Sequence, residues 1–315
     1  MQGPGHSPSP TGRPQGTLIA SPHILYSPAF YPEGPLWDAG RLYFVEYARH
    51  TVRALDTDHR EPRTIWQQPG FGPAAVALAA DGTLWVTGSD SNCLARIDPD
   101  GSTRTTVQHD ASGNPFPAPN DLVFDSNGGI YFTASGSFDR NAPPAGAVFH
   151  HQPDGDTRSL ATDIHYANGI ALCADGSTLF VTEHLRNRIL AFDVGPDRCL
   201  RRRRVHTDLS TLAPTDLEDP LLGPDGIACS SSGSLIVAHF GTGRLLVIGP
   251  DARLEGIITL PCRYPTNVAF GETERKLYVT AFHDNIAPFA GAVFEVDLHH
   301  QLQSEQSPIE ARTPK

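Results

Sequence analysis

The sequence predicts an all-β protein: a six-bladed β-propeller with four antiparallel strands per blade and a ring closed by an N-terminal strand. Three observations carry this. A two-stranded hairpin recurs six times, at starts separated by 41, 46, 48, 57 and 42 residues, which suits propeller blades of roughly 40–50 residues. A third strand-like run follows most copies. Composition also runs against helices, with Gly 29, Pro 28 and Met 1 and few segments of helical period.

The hairpins follow in chain order as "EGPLWDAGRLYFVE" from Glu33, "AAVALAADGTLWVTG" from Ala74 and "NDLVFDSNGGIYFTA" from Asn120, then "NGIALCADGSTLFVTE" from Asn168, "DGIACSSSGSLIVAH" from Asp225 and "NVAFGETERKLYVTA" from Asn267. In the third, the β-favouring runs Leu122–Phe124 and Ile130–Phe132 flank "DSNGG", which is turn chemistry. Third strands read "TVRALD", "CLARIDPDG", "AVFHHQPDG", "RILAFDVG", "RLLVIGPD" and "AVFEVDL", and a more variable fourth segment follows, such as "RTIWQQ". The last copy runs out of chain after its third strand, so "HILYS", His23 to Ser27, is expected to supply the missing outer strand. This gives a flexible leader over 1–17, the propeller over 18–299 and a flexible tail over 300–315.

The totals exclude several classes. A formal charge of −11 disfavours nucleic acid and anionic membranes as partners. The one basic run, Arg201 to Arg204, reads as a solvated strand edge. No stretch approaches the ~20 apolar residues of a membrane span. Five cysteines without a CxxC spacing suit a reduced, cytoplasmic protein. Expected partners are a small-molecule substrate and, at most, further copies in a small homo-oligomer.

In a propeller the first strands line the channel, so their first residues converge at one face. These are Glu33, Ala74, Asn120, Asn168, Asp225 and Asn267, and five of the six carry oxygen. Asn and Asp also favour turns and strand ends, which explains one or two such residues but not five at one repeat position. A ring of carboxylate and amide oxygens suits one hard divalent cation: Ca²⁺ first, with Mg²⁺, Mn²⁺ or Zn²⁺ as alternatives.

The motifs "EGPLWD", "PNDLVFD", "ANGIALCADGSTLFVTE" and "GPDGIA" resemble those of the senescence-marker-protein (regucalcin)/gluconolactonase/luciferin-regenerating-enzyme-like family, over roughly Ile24 to Leu298. The resemblance implies a six-bladed propeller with one catalytic divalent cation held by Glu33, Asn168 and Asp225. Asn120 is implied as a further ligand or a substrate contact, with Asp121 as its companion. Sugar-lactonase members carry an Arg two residues before that Asn, where this chain has Ala118. The acidic residue that such members offer to sugar hydroxyls has no clear counterpart in "ASGSFDRN".

Second strands run back toward the same face and end at Glu46, Gly88, Ala134, Glu183, His239 and Ala281, with His184 and His283 close behind. Glu46, Glu183 and His239 are thus candidates for substrate or supporting contacts, against an equally plain packing role. Two similar insertions, "GSFDRNAPPAGAVF" and "FHDNIAPFAGAVF", reach that face and bring Phe138, Phe282 and Phe289 as apolar walls. The expected chemistry is metal-assisted opening of a lactone or similar ester. Asp225 would accept the water proton, with Glu183 or His239 as alternative bases, and Asn120 and Asn267 would orient the substrate. The rival readings are a phosphotriesterase-like hydrolase, a biosynthetic isomerase or cyclase, and a non-catalytic ligand-binding propeller.

Overall fold

The computed structural model describes residues 17–56, 61–217 and 219–301. Residues 1–16 of the expected leader (1–17) and 302–315 of the expected tail (300–315) lie outside the described residues. Within them the chain opens with β1 (Thr17–Phe30) and then lays down its blades in sequence. Blade 1 holds β2 (Pro32–Asp38), β3 (Arg41–Glu46), β4 (Thr51–Asp56) and β5 (Arg63–Gln67). Blade 2 holds β6 (Pro73–Leu78), β7 (Leu84–Gly88), β8 (Cys93–Ile97) and β9 (Thr103–Val107). Blade 3 is built from β10 (Pro119–Phe124), β11 (Ile130–Ala134), β12 (Gly146–His151) and β13 (Thr157–Ile164). Blade 4 takes β14 (Ala167–Leu172), β15 (Thr178–Glu183), β16 (Arg188–Val194) and β17 (Leu200–Asp208). Blade 5 takes β18 (Gly223–Cys229), β19 (Leu235–Phe240), β20 (Arg244–Ile248) and β21 (Leu254–Thr259). Blade 6 has β22 (Tyr264–Phe270), β23 (Lys276–Phe282) and β24 (Ala290–Gln301), and its sheet order is β1-β24-β23-β22.

The ring is therefore closed by the N-terminal strand. β1 pairs antiparallel with β24 from Thr17 opposite Gln301 to Phe30 opposite Ala290, with two register shifts near Tyr26. The pairing runs beyond the expected His23–Ser27 at both ends, and takes in Thr17, His300 and Gln301, which the sequence had placed in the leader and the tail.

The burial pattern explains why simple alternation is weak in these strands. A blade is covered on both faces by its neighbours, so the middle strands β7, β11, β12 and β19 are buried at every position. The outer strands β9 and β17 are mostly exposed. Arg201–Arg204 fall on β17, where Arg202 and Arg204 pair with Asp193, Arg201 pairs with Asp197, and Arg203 bonds backbone carbonyls. The run is a charged outer edge, which discourages pairing with another sheet.

Apolar packing is divided into wedges, one at each blade junction. Trp66 and Val52 meet Val76 and Val86 between blades 1 and 2, and Trp85 meets Phe132 and Phe149 between blades 2 and 3. Tyr131 meets Leu179 and Phe192 between blades 3 and 4, and Phe180 meets Leu235 and Val237 between blades 4 and 5. Blades 5 and 6 share Ala238, Leu245, Val279 and Phe294, and blades 6 and 1 share Tyr278, Phe44 and Leu55.

Candidate metal centre and its pocket

Every inner strand breaks register at or beside its ring residue. The shifts fall at Glu33/Leu36, Pro73/Ala75, Pro119/Leu122, Ala167/Ile170, Pro224/Ile227 and Pro265/Asn267. Such bulges release a residue from the ladder and re-aim its side chain. Threonines on the second strands then hold the released backbone. Thr87 donates to the Asn120 carbonyl, Thr133 to that of Asn168, and Thr182 to that of Asp225 at 2.7 Å, each across a blade junction. Thr266, on the inner strand β22, ties blade 6 to blade 1 by donating to the Pro32 carbonyl at 2.7 Å. Glycines let the strands approach: a Cβ on Gly169 would lie 2.4 Å from the Asp225 carbonyl oxygen, and one on Gly226 2.1 Å from Asn267 Oδ1.

The ring side chains meet across the axis. Asn267 Nδ2 donates to Asp121 Oδ2 at 3.4 Å, joining blades 6 and 3. The same oxygen accepts from Ile170 N of blade 4 at 3.2 Å, and Asp121 Oδ1 accepts from Leu122 N at 2.8 Å. The Asn168 side chain hydrogen-bonds the Asp225 carboxyl, and Glu33 Oε2 accepts from Gly34 N at 3.2 Å. Asn120 sits half-buried at the same level.

Electrostatically the cluster is one-sided. Burial first, then the charges of Asp225 and Asp121, push the Glu33 carboxyl well above its usual range. Asp225 is pushed up likewise, by burial and then by Asp121. Burial lifts Asp121 to about 6. The charged groups acting on these three carboxyls are other carboxyls. Buried like charges without a cationic partner are costly unless protons or a cation compensate them. The donor set fits a hard divalent cation: carboxylate and amide oxygens, with no thiolate among them. Among the described residues, no group of three or more His, Cys, Asp and Glu side chains is arranged to hold a metal on its own, so amide oxygens would have to complete the shell.

One contribution escapes the ring pattern. Tyr31 and Tyr166 each stand two residues before a ring position and adopt left-handed backbone, with φ of 49° and 65°. Their phenols lie within electrostatic reach of Glu33 and Asp225, and burial raises both hydroxyls far above their usual value. Ala118 occupies the same offset in blade 3, also left-handed at φ 58°. The repeated "YPE" and "YAN" at this offset were a signal available in the sequence.

The expected apolar walls join these tyrosines in one arc. Phe138 contacts Tyr166 with ring centroids 4.7 Å apart and His184 at 5.4 Å; His184 contacts Phe240 at 5.7 Å, and Phe240 contacts Phe282 at 5.6 Å. Phe282 meets Tyr31 at 4.9 Å, and Phe289 meets Tyr31 at 5.1 Å. The first insertion is pinned by Arg140, which donates to the carbonyls of Leu185, Pro220 and Leu222. Two surface cavities, of about 890 and 460 Å³, lie elsewhere, around Trp85 and Arg96 at the hairpin turns and outer strands of the first three blades.

The second ring serves the fold. Glu46 is fully buried and accepts from Phe30 N at 2.9 Å and Arg53 Nη1 at 3.0 Å. Glu183 does the same in blade 4, accepting from His165 N at 2.8 Å and Arg188 Nε at 2.6 Å. Each anchors the loop three residues ahead of a ring position, and both Glu183 oxygens accept hydrogen bonds from within the fold. His239 is fully buried, with Nε2 3.0 Å from Asn187 Oδ1. Burial holds its imidazole down at about 4, which corrects the expectation of a base poised near neutrality. His283 is exposed, with Nδ1 3.2 Å from Cys262 Sγ.

The fold and site define a six-bladed propeller with a bulged ring of oxygen donors, and the chain belongs to the SMP-30/gluconolactonase/LRE-like family, matching it over residues 31–283. It is 30% identical over 262 residues to the lactonase drp35 of Staphylococcus haemolyticus, covering 78% of this chain and 75% of that one. It is 25% identical over 293 residues to the gluconolactonase of Zymomonas mobilis, covering 83% and 79%. The structure superposes on the calcium-binding protein regucalcin of Agrobacterium tumefaciens with a TM-score of 0.72 at 21% identity, covering 88% and 94%.

Proposed function

We propose that this protein is a divalent-cation-dependent hydrolase that opens a lactone or similar cyclic ester. The observation that carries the reading is the convergence of half-buried Glu33 with buried Asp225 and Asp121, without a cationic partner among the described residues, beside the amides of Asn168 and Asn267. Family membership and the lactonase names of the relatives support it. Glu33, Asn168 and Asp225 would hold the cation, with Asn120 as a further ligand or substrate contact. Ca²⁺ stands first, and its support is the calcium binding of the structurally similar regucalcin. When bound there, a divalent cation supplies a Lewis acid that favours negative charge developing on the ester carbonyl oxygen.

The chain's own groups do the rest. Asp225 accepts the proton of the attacking water, since Glu183 and His239 are withdrawn into the fold. Asp121 sets Asn267 and the β14 backbone, and Asn120 and Asn267 orient the ester. The arc from Phe138 to Phe289 limits water and suits a substrate less polar than a sugar, in keeping with Ala118 at the family's Arg position. A panel of lactones plus a phosphotriester, assayed with chelator and with added divalent ions, tests the reading. Lactone turnover that disappears with chelator and in Asp225→Ala is the expected result. Turnover unaffected by both removes the cation from the mechanism. Phosphotriester turnover alone gives the site to the other hydrolase class. Tight Ca²⁺ binding with every ester untouched moves it to an isomerase or cyclase, and neither binding nor turnover leaves a scaffold.

A further inference from the structure

We propose that Cys173 and Cys229 form a reversible disulfide site that clamps blade 4 to blade 5 at the end of the channel away from the carboxylates. Their sulfurs lie 3.7 Å apart although 56 residues separate them in the chain. Cys173 directly follows β14 and opens its hairpin turn, with its N–H bonded to Thr178 O and its carbonyl to Gly176 N. Cys229 is the last residue of β18. The two inner strands thus present their thiols to each other from rigid neighbouring hairpins. Both residues are half-buried, whereas Cys93 and Cys262 are buried.

Closing the pair to the bonded distance of about 2.05 Å asks each sulfur to move by less than about 1 Å, within reach of small side-chain rotations. The contact is also polarised. Hydrogen bonding from Cys229 holds the Cys173 thiol below its ordinary value, and the same contact, with burial, pushes Cys229 up. Cys173 is therefore the attacking sulfur.

The oxidant is a small disulfide such as oxidised glutathione. The Cys173 thiolate attacks one of its sulfurs, forming a mixed disulfide and expelling one glutathione thiolate. Cys229 then attacks the Cys173 sulfur, the S–S bond to glutathione breaks, and the second glutathione thiolate leaves. Two protein thiols lose two electrons and two protons, and one glutathione disulfide becomes two glutathione thiols. Because the joined residues are far apart in sequence, the cross-link removes considerable freedom from the unfolded chain.

The test treats the intact protein with excess oxidised glutathione, counts free thiols after denaturation and maps the linked peptides. Five thiols should fall to three, with the missing pair recovered as a Cys173–Cys229 peptide. Tm should rise by roughly 5 °C, and dithiothreitol should reverse both changes. Cys173→Ser and Cys229→Ser should abolish the rise, whereas Cys262→Ser should keep it. Five thiols still free, glutathione retained on Cys173 with Cys229 unreacted, another pairing in the map, or an unchanged Tm would each overturn the clamp. The peptide map decides in the wild-type protein even if a serine variant folds poorly, and every arm runs without substrate, independent of the hydrolase reading.

Discussion

Asp121 carries the clearest pH signature. Its carboxyl sits at about 6 in the fold against an ordinary 3.8, through burial. The folded state therefore holds this proton more tightly than the unfolded chain. Its stabilising contribution is complete below about 3.8 and is lost as pH rises through about 6. At pH 8 without a cation, the ionised form costs roughly 3 kcal/mol. Asp121→Asn should accordingly stabilise the chelator-treated protein at pH 8 by about 1–3 kcal/mol, with the gain fading toward pH 5; denaturant titrations at the two pH values measure it. A difference from wild type that is the same at both pH values would show that the carboxyl is not strained, since the loss of one acceptor oxygen is common to both. Ring residues were legible one by one because Glu33, Asn120, Asn168, Asp225 and Asn267 recur at one repeat offset. Glu183 and His239 misled because strand-end position fixes the face but not the partner. Arg188 and Asn187 engage them from offsets at which the blades do not all repeat one side chain, with His50 and Asn92 at the offset of Asn187.

At the level of the strand, the bulges and the threonine ties decide how well the ring is held. Thr182→Val keeps the shape but removes the donor to the Asp225 carbonyl. A loss of about 1–2 kcal/mol in stability and roughly tenfold weaker Ca²⁺ binding are expected, read by denaturation and calorimetry. Gly226→Ala drives a methyl into Asn267 and, through it, disturbs Asp121. Turnover of the best lactone should fall at least about tenfold while the protein still folds, at a cost of about 1–3 kcal/mol. Unchanged kinetics would separate Asn267 from the reaction. The hairpins themselves were readable from turn residues and β-branched runs. The register shifts were not, although Pro opens four of the six, at Pro73, Pro119, Pro224 and Pro265; proline restricts pairing without fixing where the ladder slips. Three of the threonines stood in plain view in "VTG", "FTA" and "VTE", but their bonds cross blade junctions, which a repeat alignment does not display.

For the whole molecule, stability depends on six wedges and one seam. Successive blades are covalently continuous through the chain, whereas the seam between blades 6 and 1 is held by the β1–β24 ladder, the wedge of Tyr278, Phe44 and Leu55, and the Thr266–Pro32 hydrogen bond. Deleting residues 17–30 removes that ladder and bares β24. The deletion should lower Tm by more than about 10 °C and produce concentration-dependent association through the open edge, visible by light scattering; a monomeric product with wild-type Tm would show that the ring needs no closing strand. Blade number and closure were legible because repeats can be counted and the sixth copy ran short. The limits of β1 were not, since Thr17–Ala20 and His299–Gln301 gain strand structure only from each other.

The same seam sets a timetable. β1 is the first of these strands to leave the ribosome, and its only partner is the last. It must wait through the synthesis of five whole blades and most of a sixth, with its ladder groups unpaired, and the nascent chain cannot lock its circle early. Commitment to the native ring is therefore a late event, made after the C-terminal strand emerges, so slow translation should prolong the interval in which this protein depends on chaperones.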